Sequence, residues 1–171
     1  MQIRRTIIRF FLIYTVVSLL LSILVHFSLY FGWSVYERFP TIWLGLQVAV
    51  LVGLVGSVVL KPALRWPKDI YDRQATRAYI LITVLICIFF PYTLINYFYC
   101  DRKLKAGYPY VRDGQTVMYF PKGDHYRRVT PEQFREAGLY QARKTSGHWM
   151  IIQLFPLMAL YTSYKWERFD S

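Results

Sequence analysis

Residues 10–36 read FFLIYTVVSLLLSILVHFSLYFGWSVY, which is 27 residues in a row without Asp, Glu, Lys or Arg. A helix of about 20 apolar residues crosses the hydrocarbon core of a bilayer. Three further stretches have the same character, 39–60, 78–100 and 145–164, so 92 of the 171 residues lie in uncharged segments. This pattern excludes a soluble globule, a disordered chain and a small disulfide-stapled protein. The sequence predicts a multi-pass membrane protein.

The predicted fold is all-α, a four-helix transmembrane bundle with one extramembrane loop that holds a small β-hairpin and a short helix. The spans are expected at about 8–31, 42–60, 78–100 and 147–164. Residues 1–100 then contain three spans, 101–146 form the loop, and 147–171 add the fourth span and a short tail. Trp and Tyr, which favour the headgroup zone, lie near most of the predicted span ends.

The first span begins like a secretory signal, with Arg4, Arg5 and Arg9 before an apolar run. The apolar region of a cleaved signal is about 7–15 residues long and ends at a small-residue site. Here the run is longer and has no such site. We therefore expect an uncleaved first span.

The second predicted span carries small residues at every fourth position, which places them on one helix face. Small residues matter in lipid because they allow close approach of two backbones. The preferred interpretation is packing against another span of the same chain, and homodimerisation is the alternative. This predicted helix-packing face consists of Gly45, Ala49, Gly53 and Ser57.

Polar residues inside the predicted spans form a second group of candidates: Ser18, Ser22, His26, Asn96 and Gln153. The first three share one face of the first span. An ionisable residue within a membrane is a functional candidate by default. For His26 we prefer a neutral side chain hydrogen-bonded to a neighbouring helix. Asp and Glu are missing from all four predicted spans, which disfavours a pump or transporter.

The loop 101–146 contains two β-type runs, 108–111 and 116–120, separated by Arg112-Asp113-Gly114-Gln115. Asp-Gly between such runs is a hairpin signal. Further on, Thr130 is the predicted N-cap of a helix, with Gln133 at capping-box spacing and Gly138 as the predicted end. A two-turn helix is expected there.

The same loop is basic and aromatic, with ten Lys and Arg against five acidic residues. Contact with anionic lipid headgroups explains this composition. A protein partner is the alternative, because Tyr and Arg are enriched at interface hot spots. We expect no nucleic-acid partner. The predicted interaction residues are Tyr108, Tyr110, Arg112, Tyr119, Phe120, His125, Tyr126, Arg127 and Arg128.

The count of basic residues on the two sides of the membrane nearly balances, so it does not by itself decide the topology. With a cytoplasmic N-terminus, ten basic residues lie inside and eleven outside. The first span has three basic residues before it and one after, which favours a cytoplasmic N-terminus. The short basic loop 61–68 is also typical of a cytoplasmic segment. We therefore expect an inner-membrane protein with both termini cytoplasmic and the long loop outside.

Motifs that carry chemistry are not found. The three histidines, His26, His125 and His148, are scattered, so no metal or cofactor is expected. Ser146 and His148 are close in sequence, but residues i and i+2 do not face each other on a helix. No catalytic residue is assigned.

In its layout the chain resembles the polytopic immunity proteins of bacterial inner membranes. The likeness lies in Arg4, Arg5 and Arg9 before four spans and one large loop. It implies a protein that acts by binding, an antagonist of a membrane-targeting toxin. The packing face of the second span and the polar stripe of the first lead to a separate hypothesis for the mechanism, lateral capture of an inserting toxin helix. The alternatives are a structural or assembly subunit of a membrane complex and, less favoured, a lipid- or ion-handling enzyme or transporter.

Overall fold

The computed structural model describes residues 2–60, 73–105 and 107–169. The predicted basic loop 61–68 lies outside this part of the chain. In order, the elements are α1 (Gln2–Ser28), a 3₁₀ turn (Leu29–Phe31), α2 (Val35–Arg38), α3 (Pro40–Val59), α4 (Arg73–Leu104), β1 (Tyr108–Arg112), β2 (Gln115–Phe120), β3 (His125–Arg128) and α5 (Pro131–Phe169).

Three helical stretches of the described residues are long and apolar enough to cross a membrane. They are Ile3–Phe31, Pro40–Val59 and Arg77–Leu104, with mean hydropathies of 2.4, 2.2 and 2.4. They correspond to the first three predicted spans. The fourth predicted span, 147–164, lies within α5, which is not among the three. Polar residues such as His148 and Gln153 dilute its apolar character.

The helix α5 lies at the centre of the molecule and packs against α1, α3 and α4. One apolar cluster joins it to α1 and α3, and there the rings of Trp43 and Trp149 lie 4.3 Å apart. A second cluster joins Met150, Leu154 and Leu157 of α5 to α1 and α4. The outer faces of the other long helices carry exposed apolar side chains as well. The inside of the bundle therefore combines apolar clusters with buried polar side chains such as His26 and Gln153.

The chain also forms one sheet of three antiparallel strands in the order β1-β2-β3. The predicted hairpin is confirmed: Arg112 pairs with Gln115 across the turn. Asp113 and Gly114 both have positive φ, 52° and 74°, as the two central residues of a type I′ turn require. The third strand is missing from the sequence prediction, because His125-Tyr126-Arg127-Arg128 lacks the alternation of a half-buried strand.

The predicted capping box at the start of α5 is confirmed. The main-chain N–H of Gln133 donates to Thr130 Oγ1 at 3.3 Å, and the main-chain N–H of Thr130 donates to Gln133 Oε1 at 3.2 Å. The predicted two-turn helix ending at Gly138 is wrong, because α5 continues to Phe169. A glycine inside a helix costs only about 1 kcal/mol relative to alanine. Packing of α5 on the sheet and on three other helices outweighs that cost.

The predicted helix-packing face of α3 divides between two environments. A Cβ atom added to Gly53 would lie 3.2 Å from Thr15 Oγ1 of α1, and Ser57 is buried beside it. Ala49 is half-buried, whereas Gly45 is exposed with open space around its Cα. Gly56, which the four-residue spacing missed, makes the closest approach: its added Cβ would lie 2.5 Å from the Phe11 ring.

Candidate functional site

A buried polar cluster joins α1, α4 and α5 around His26, whose side chain has no exposed surface. His26 Nδ1 lies 2.8 Å from Ser146 Oγ of α5. Its Nε2 lies 2.6 Å from the hydroxyl of Tyr92 on α4. The Tyr92 hydroxyl in turn lies 2.8 Å from that of Tyr30 in the 3₁₀ turn. Both ring nitrogens of His26 are thus engaged by neighbouring helices.

The directions of these hydrogen bonds follow from one constraint. Ser146 Oγ also lies 2.8 Å from the carbonyl oxygen of Ala142, an acceptor, so Ser146 donates there. Its oxygen then accepts from Nδ1–H of a neutral His26, whose Nε2 accepts from Tyr92. Because Tyr92 gives its proton to His26, the Tyr30 hydroxyl is the donor between the two tyrosines, and it also lies 3.4 Å from Asn96 Oδ1, a second acceptor. A connected series of hydrogen bonds therefore runs from Tyr30 to the Ala142 carbonyl oxygen.

Ser146 and His26 are as close as a catalytic serine and its base, but the direction of their hydrogen bond is the reverse of the one that catalysis requires. A base must accept the serine proton, whereas here Ser146 gives its proton to a main-chain carbonyl. Ser146 is also completely buried, so this hydroxyl is not presented to a substrate. In this geometry the cluster ties three helices together.

Ser22 and Gln153 form a second buried contact, deeper in the bundle. Gln153 Nε2 donates to Ser22 Oγ at 2.8 Å, and both side chains are at most 1% exposed. Gln153 Oε1 and the hydroxyl of buried Ser18, one turn before Ser22, have no hydrogen-bond partner among the described residues. The polar stripe of α1 is thus covered by α5 and is not presented to a partner helix in this structure.

Asn96 links the buried cluster to Arg143. Its Nδ2 donates to the Arg143 carbonyl oxygen at 3.1 Å, and its Oδ1 accepts from Arg143 Nη2 at 3.1 Å. The Arg143 guanidinium lies 3.8 Å from the centroid of the Tyr30 ring. Contact this close is a strong cation–π geometry. The other two tyrosine rings near Arg143, those of Tyr99 and Tyr140, lie 5.6 and 5.9 Å away.

Lys144, the next residue of α5, forms an ion pair on another side of the helix. Its Nζ donates to Asp101 Oδ1 at 2.6 Å and lies 4.3 Å from the centre of the Tyr97 ring. Burial by itself lowers the pKa of Lys144, but hydrogen bonds with Asp101 and Tyr97 and their charges raise it above its ordinary value. His148 Nδ1 donates to the Lys144 carbonyl oxygen at 2.7 Å. His148 is therefore separate from the Ser146 cluster.

The predicted loop residues fall into two groups on the sheet. Tyr110, Tyr119 and Tyr126 form one ring cluster, with centroid separations of 5.7 Å for Tyr110–Tyr126 and 5.0 Å for Tyr119–Tyr126. The Arg112 guanidinium lies 4.7 Å from the Tyr126 centroid. Tyr110 and Tyr126 are 52% and 40% exposed. We call these four residues the tyrosine face; Arg127 and Arg128 nearby are also exposed.

The other predicted loop residues hold the sheet in place. Tyr108 and Phe120 pack against a core cluster of Leu104, Met118 and Ala137, which joins α4, the sheet and α5. His125 stacks on Phe120 with ring centroids 5.0 Å apart. On the tyrosine face, a hydrogen bond from Tyr119 to Asp124 is the main cause that raises the pKa of Tyr119.

Sequence analysis missed four members of the buried cluster: Tyr30, Tyr92, Arg143 and Ser146. Tyr30 continues the α1 stripe, four residues after His26, and this spacing could have identified it. Arg143 and Ser146 were assigned to the loop and so were not matched to the spans. Their partners become apparent only when α5 is continuous through residue 146.

Among the described residues, no group of three or more His, Cys, Asp or Glu side chains comes together as metal ligands do. Comparison of the chain with protein-family models, with curated protein sequences and with solved structures finds no match.

Proposed function

We propose that this chain is a multi-pass inner-membrane protein with four spans, cytoplasmic termini and the loop 101–146 outside. The distribution of polarity supports membrane insertion. Large apolar side chains point outward from the three apolar helices, as in Phe10 (63% exposed), Val59 (74%) and Ile95 (70%). Water would penalise such a surface by about 25 cal/mol per Å², whereas lipid would not.

The segment 147–164 of α5 serves as the fourth span in this proposal. Its moderate hydropathy is consistent with that role, because its most polar side chain, Gln153, faces inward and is 1% exposed. A helix surrounded by other helices needs less apolar surface than one that faces lipid. In membrane bundles, intramembrane polar residues face the interior.

We propose that the protein acts by binding another protein through the tyrosine face. The main observation in support is that the four side chains of the tyrosine face already contact one another before any partner binds. The sheet that holds them packs against α5. Tyr and Arg are over-represented among residues that dominate binding energies. Rings already held in place lose little conformational freedom when a partner binds.

The specific form of binding that we propose is immunity: the chain antagonises a membrane-targeting toxin on the outer side of the membrane. The toxin would meet the tyrosine face first, because Tyr110 and Tyr126 present exposed aromatic rings there. The polar stripe of α1 and the Gly53–Ser57 end of α3 are already covered within the chain. A toxin helix would therefore pack on the open Gly45–Ala49 end of α3.

The open Gly45–Ala49 end of α3 also favours a second candidate, a subunit of a larger membrane complex. In that case a helix of another subunit would occupy this end permanently. The two candidates differ in when the partner is present. A complex recovered by mild detergent from unchallenged cells favours the subunit, whereas a partner captured only on toxin challenge favours the antagonist.

The immunity proposal is tested by asking whether the chain protects bacteria from a toxin. Sensitive bacteria that express the chain are challenged with a panel of pore-forming bacteriocins, and the toxin concentration needed for killing is measured. We expect it to rise for one toxin and to fall back for Tyr126→Ala, because loss of a hot-spot residue costs 2 kcal/mol or more, about 30-fold in affinity. Protection from none of the panel would count against the immunity proposal.

A matched control lies on the opposite side of the same sheet. Thr116 of β2 is exposed, and successive strand residues point to opposite faces. Thr116→Ala should therefore protect as well as the unaltered chain. A photo-crosslinking residue at position 126 should capture the toxin, while the same group at 116 should not. Equal capture at both positions would contradict the assignment of the tyrosine face.

A further inference from the structure

Two basic side chains lie beside the same pair of tyrosine rings at the junction of α4 and α5, without an acidic partner in the described part of the chain. Lys103 Nζ of α4 lies 5.9 Å from the centres of both the Tyr99 and the Tyr140 rings, and Arg143 of α5 lies 5.6 and 5.9 Å from the same two rings. Neither Lys103 nor Arg143 makes an ion pair with a carboxylate of the described residues. Lys144, by contrast, is paired with Asp101.

The Arg143 side chain is incompletely satisfied. Nη2 donates to Asn96, but the buried Nε has no hydrogen-bond acceptor among the described residues. A buried donor left without a partner is costly, and a charged one more so. Stacking of the guanidinium on Tyr30 compensates part of the missing hydration. The group remains a cation without an anion.

The Tyr99 and Tyr140 rings lie beside both of these cations. Burial, followed by a hydrogen bond with Tyr99, raises the pKa of Tyr140 to about 12, so this hydroxyl keeps its proton at neutral pH. The charge of nearby Glu136 also contributes to the raised pKa of Tyr140, and Glu136 makes no ion pair with Lys103 or Arg143 among the described residues. The cluster combines two cations with tyrosine hydroxyls, a chemistry suited to a phosphate group.

The position of the cluster near the ends of two proposed spans indicates that the phosphate belongs to a lipid headgroup. Arg143 lies one helical turn before the proposed fourth span, and Lys103 lies just beyond the third. Tyr30 and Tyr99 beside them are 47% and 46% exposed, so the cluster opens on the side of the bundle. Tyrosine belts and basic residues at this level of a membrane meet lipid headgroups.

We propose that Lys103, Arg143, Tyr99 and Tyr140 form a binding site for the phosphate of an anionic phospholipid headgroup. The site rests on the membrane placement proposed above and not on the identity of any protein partner. It is separate from the tyrosine face. The lipid supplies the anion that Lys103 and Arg143 lack, and its acyl chains lie along the apolar surfaces of the adjoining spans.

The test measures lipid retention by the full chain, purified in mild detergent, using native mass spectrometry with phosphatidylglycerol or phosphatidylcholine. We expect one phosphatidylglycerol to be held under conditions that remove phosphatidylcholine. Lys103→Gln should weaken the retention of phosphatidylglycerol about fivefold, from the usual contribution of one basic residue near a membrane surface. Arg143→Gln should weaken it further. Arg143→Lys, which keeps the charge, should be intermediate.

Arg102→Gln is the matched control, because it removes the same charge from the neighbouring exposed position of α4. We expect its retention to stay within about twofold of the unaltered chain. An equal loss in Arg102→Gln and Lys103→Gln would overturn the site in favour of general surface charge. Equal retention of the two lipids would also overturn it. Lys103 is exposed, so its variant tests the site even if Arg143→Gln does not fold.

A third arm separates the headgroup from free phosphate. Inorganic phosphate should displace phosphatidylglycerol only at far higher concentration than a second anionic lipid does. Displacement at equal concentration would overturn the lipid assignment. These outcomes are independent of toxin protection: loss of lipid selectivity leaves the immunity proposal standing, and loss of protection leaves the lipid site standing. Recovery of the chain in the soluble cell fraction would contradict the membrane placement on which both depend.

Discussion

His26 is the residue on which three helices converge. It is fully buried, and its two ring nitrogens reach α5 and α4 through Ser146 and Tyr92. The sequence predicted a neutral histidine bound to a neighbouring helix, since no acidic residue accompanies it in the span. Its partners were not predictable, because Ser146 is 120 residues away and its position depends on how the bundle packs.

A double-mutant cycle tests the link between His26 and Ser146. His26→Ala and Ser146→Ala should each lower the free energy of unfolding in detergent, with a coupling between them of about 1 kcal/mol, near the range of polar contacts in membrane bundles. Ser163, which bonds its own helix at Ala159, serves as the control partner. His26→Ala and Ser163→Ala should be additive within about 0.5 kcal/mol. Additivity of the first pair would show that the hydrogen bond contributes nothing.

Lys144 gives a prediction about pH. Its pKa is raised in the folded protein, where it pairs with Asp101, so folding binds this proton more tightly. The pair then stabilises the fold fully below the ordinary lysine pKa and loses its effect as pH rises through the raised value. The melting temperature of Lys144→Met should be lower than that of the unaltered chain at neutral pH.

The difference between these two proteins should close at strongly alkaline pH. Lys122→Met, at an exposed turn, is the control and should change the melting temperature little at any pH. A gap for Lys144→Met that stays constant through the alkaline range would show that packing of the side chain, rather than its charge, is what stabilises the fold.

The helix α3 shows how well a four-residue repeat of small residues predicts which face of a helix is packed. The four-residue repeat identified a face that does contact α1, but it included Gly45, which is open, and omitted Gly56, which is closest. An α-helix turns every 3.6 residues, so a strict four-residue series drifts around the helix. Which part of the drifting face is covered depends on where α1 crosses, and the sequence does not encode that directly.

Two substitutions on α3 make this a test. Gly56→Leu should destabilise the bundle by about 1–3 kcal/mol, because the new side chain overlaps the Phe11 ring and overpacking costs this much. Gly45→Leu adds the same atoms at a position with open space and should be nearly neutral for the isolated chain. Unfolding in detergent measures both. A larger loss for Gly45→Leu would contradict the packing of α3 on α1.

Signals in the loop differ in how local they are. The Asp113-Gly114 turn and the Thr130–Gln133 capping box were predicted correctly, because each is specified by residues within four positions of one another. The strand β3 and the continuation of α5 past Gly138 were not. The strand β3 pairs with its neighbour β2, but its residues lack the alternation of a half-buried strand. The continuation of α5 depends on distant contacts with α1, α3 and α4.

For the whole molecule, charge-free segments predicted four spans, and the first three correspond to the long apolar helices among the described residues. These segments could not show that the helix holding the fourth is the central one. Buried polar residues such as Gln153, which lower the hydropathy of that segment, lie inside the bundle together with its apolar core. The tyrosine face was less accessible from the sequence than the helices, because it is assembled from all three strands of the sheet.

The side on which the sheet lies is the main topological prediction. A reporter that is active on only one side of the membrane, inserted after Phe120, should be active outside the cytoplasm. A second reporter at the C-terminus should give the opposite result, since four spans place both termini on the same side. Activity of the first fusion in the cytoplasm would reverse the topology and with it the proposal of an external toxin.

The uninterrupted course of α5 has a mechanical consequence. At 1.5 Å per residue its 39 residues extend about 58 Å, roughly twice the hydrocarbon thickness of a bilayer. The part before Pro156 is joined to the sheet without a hinge, and a proline inside a helix is where its axis bends most readily. A partner that pulls on the sheet therefore rotates the part of α5 before Pro156 about that residue. The resulting torque acts first on α1, α3 and α4, which pack against α5.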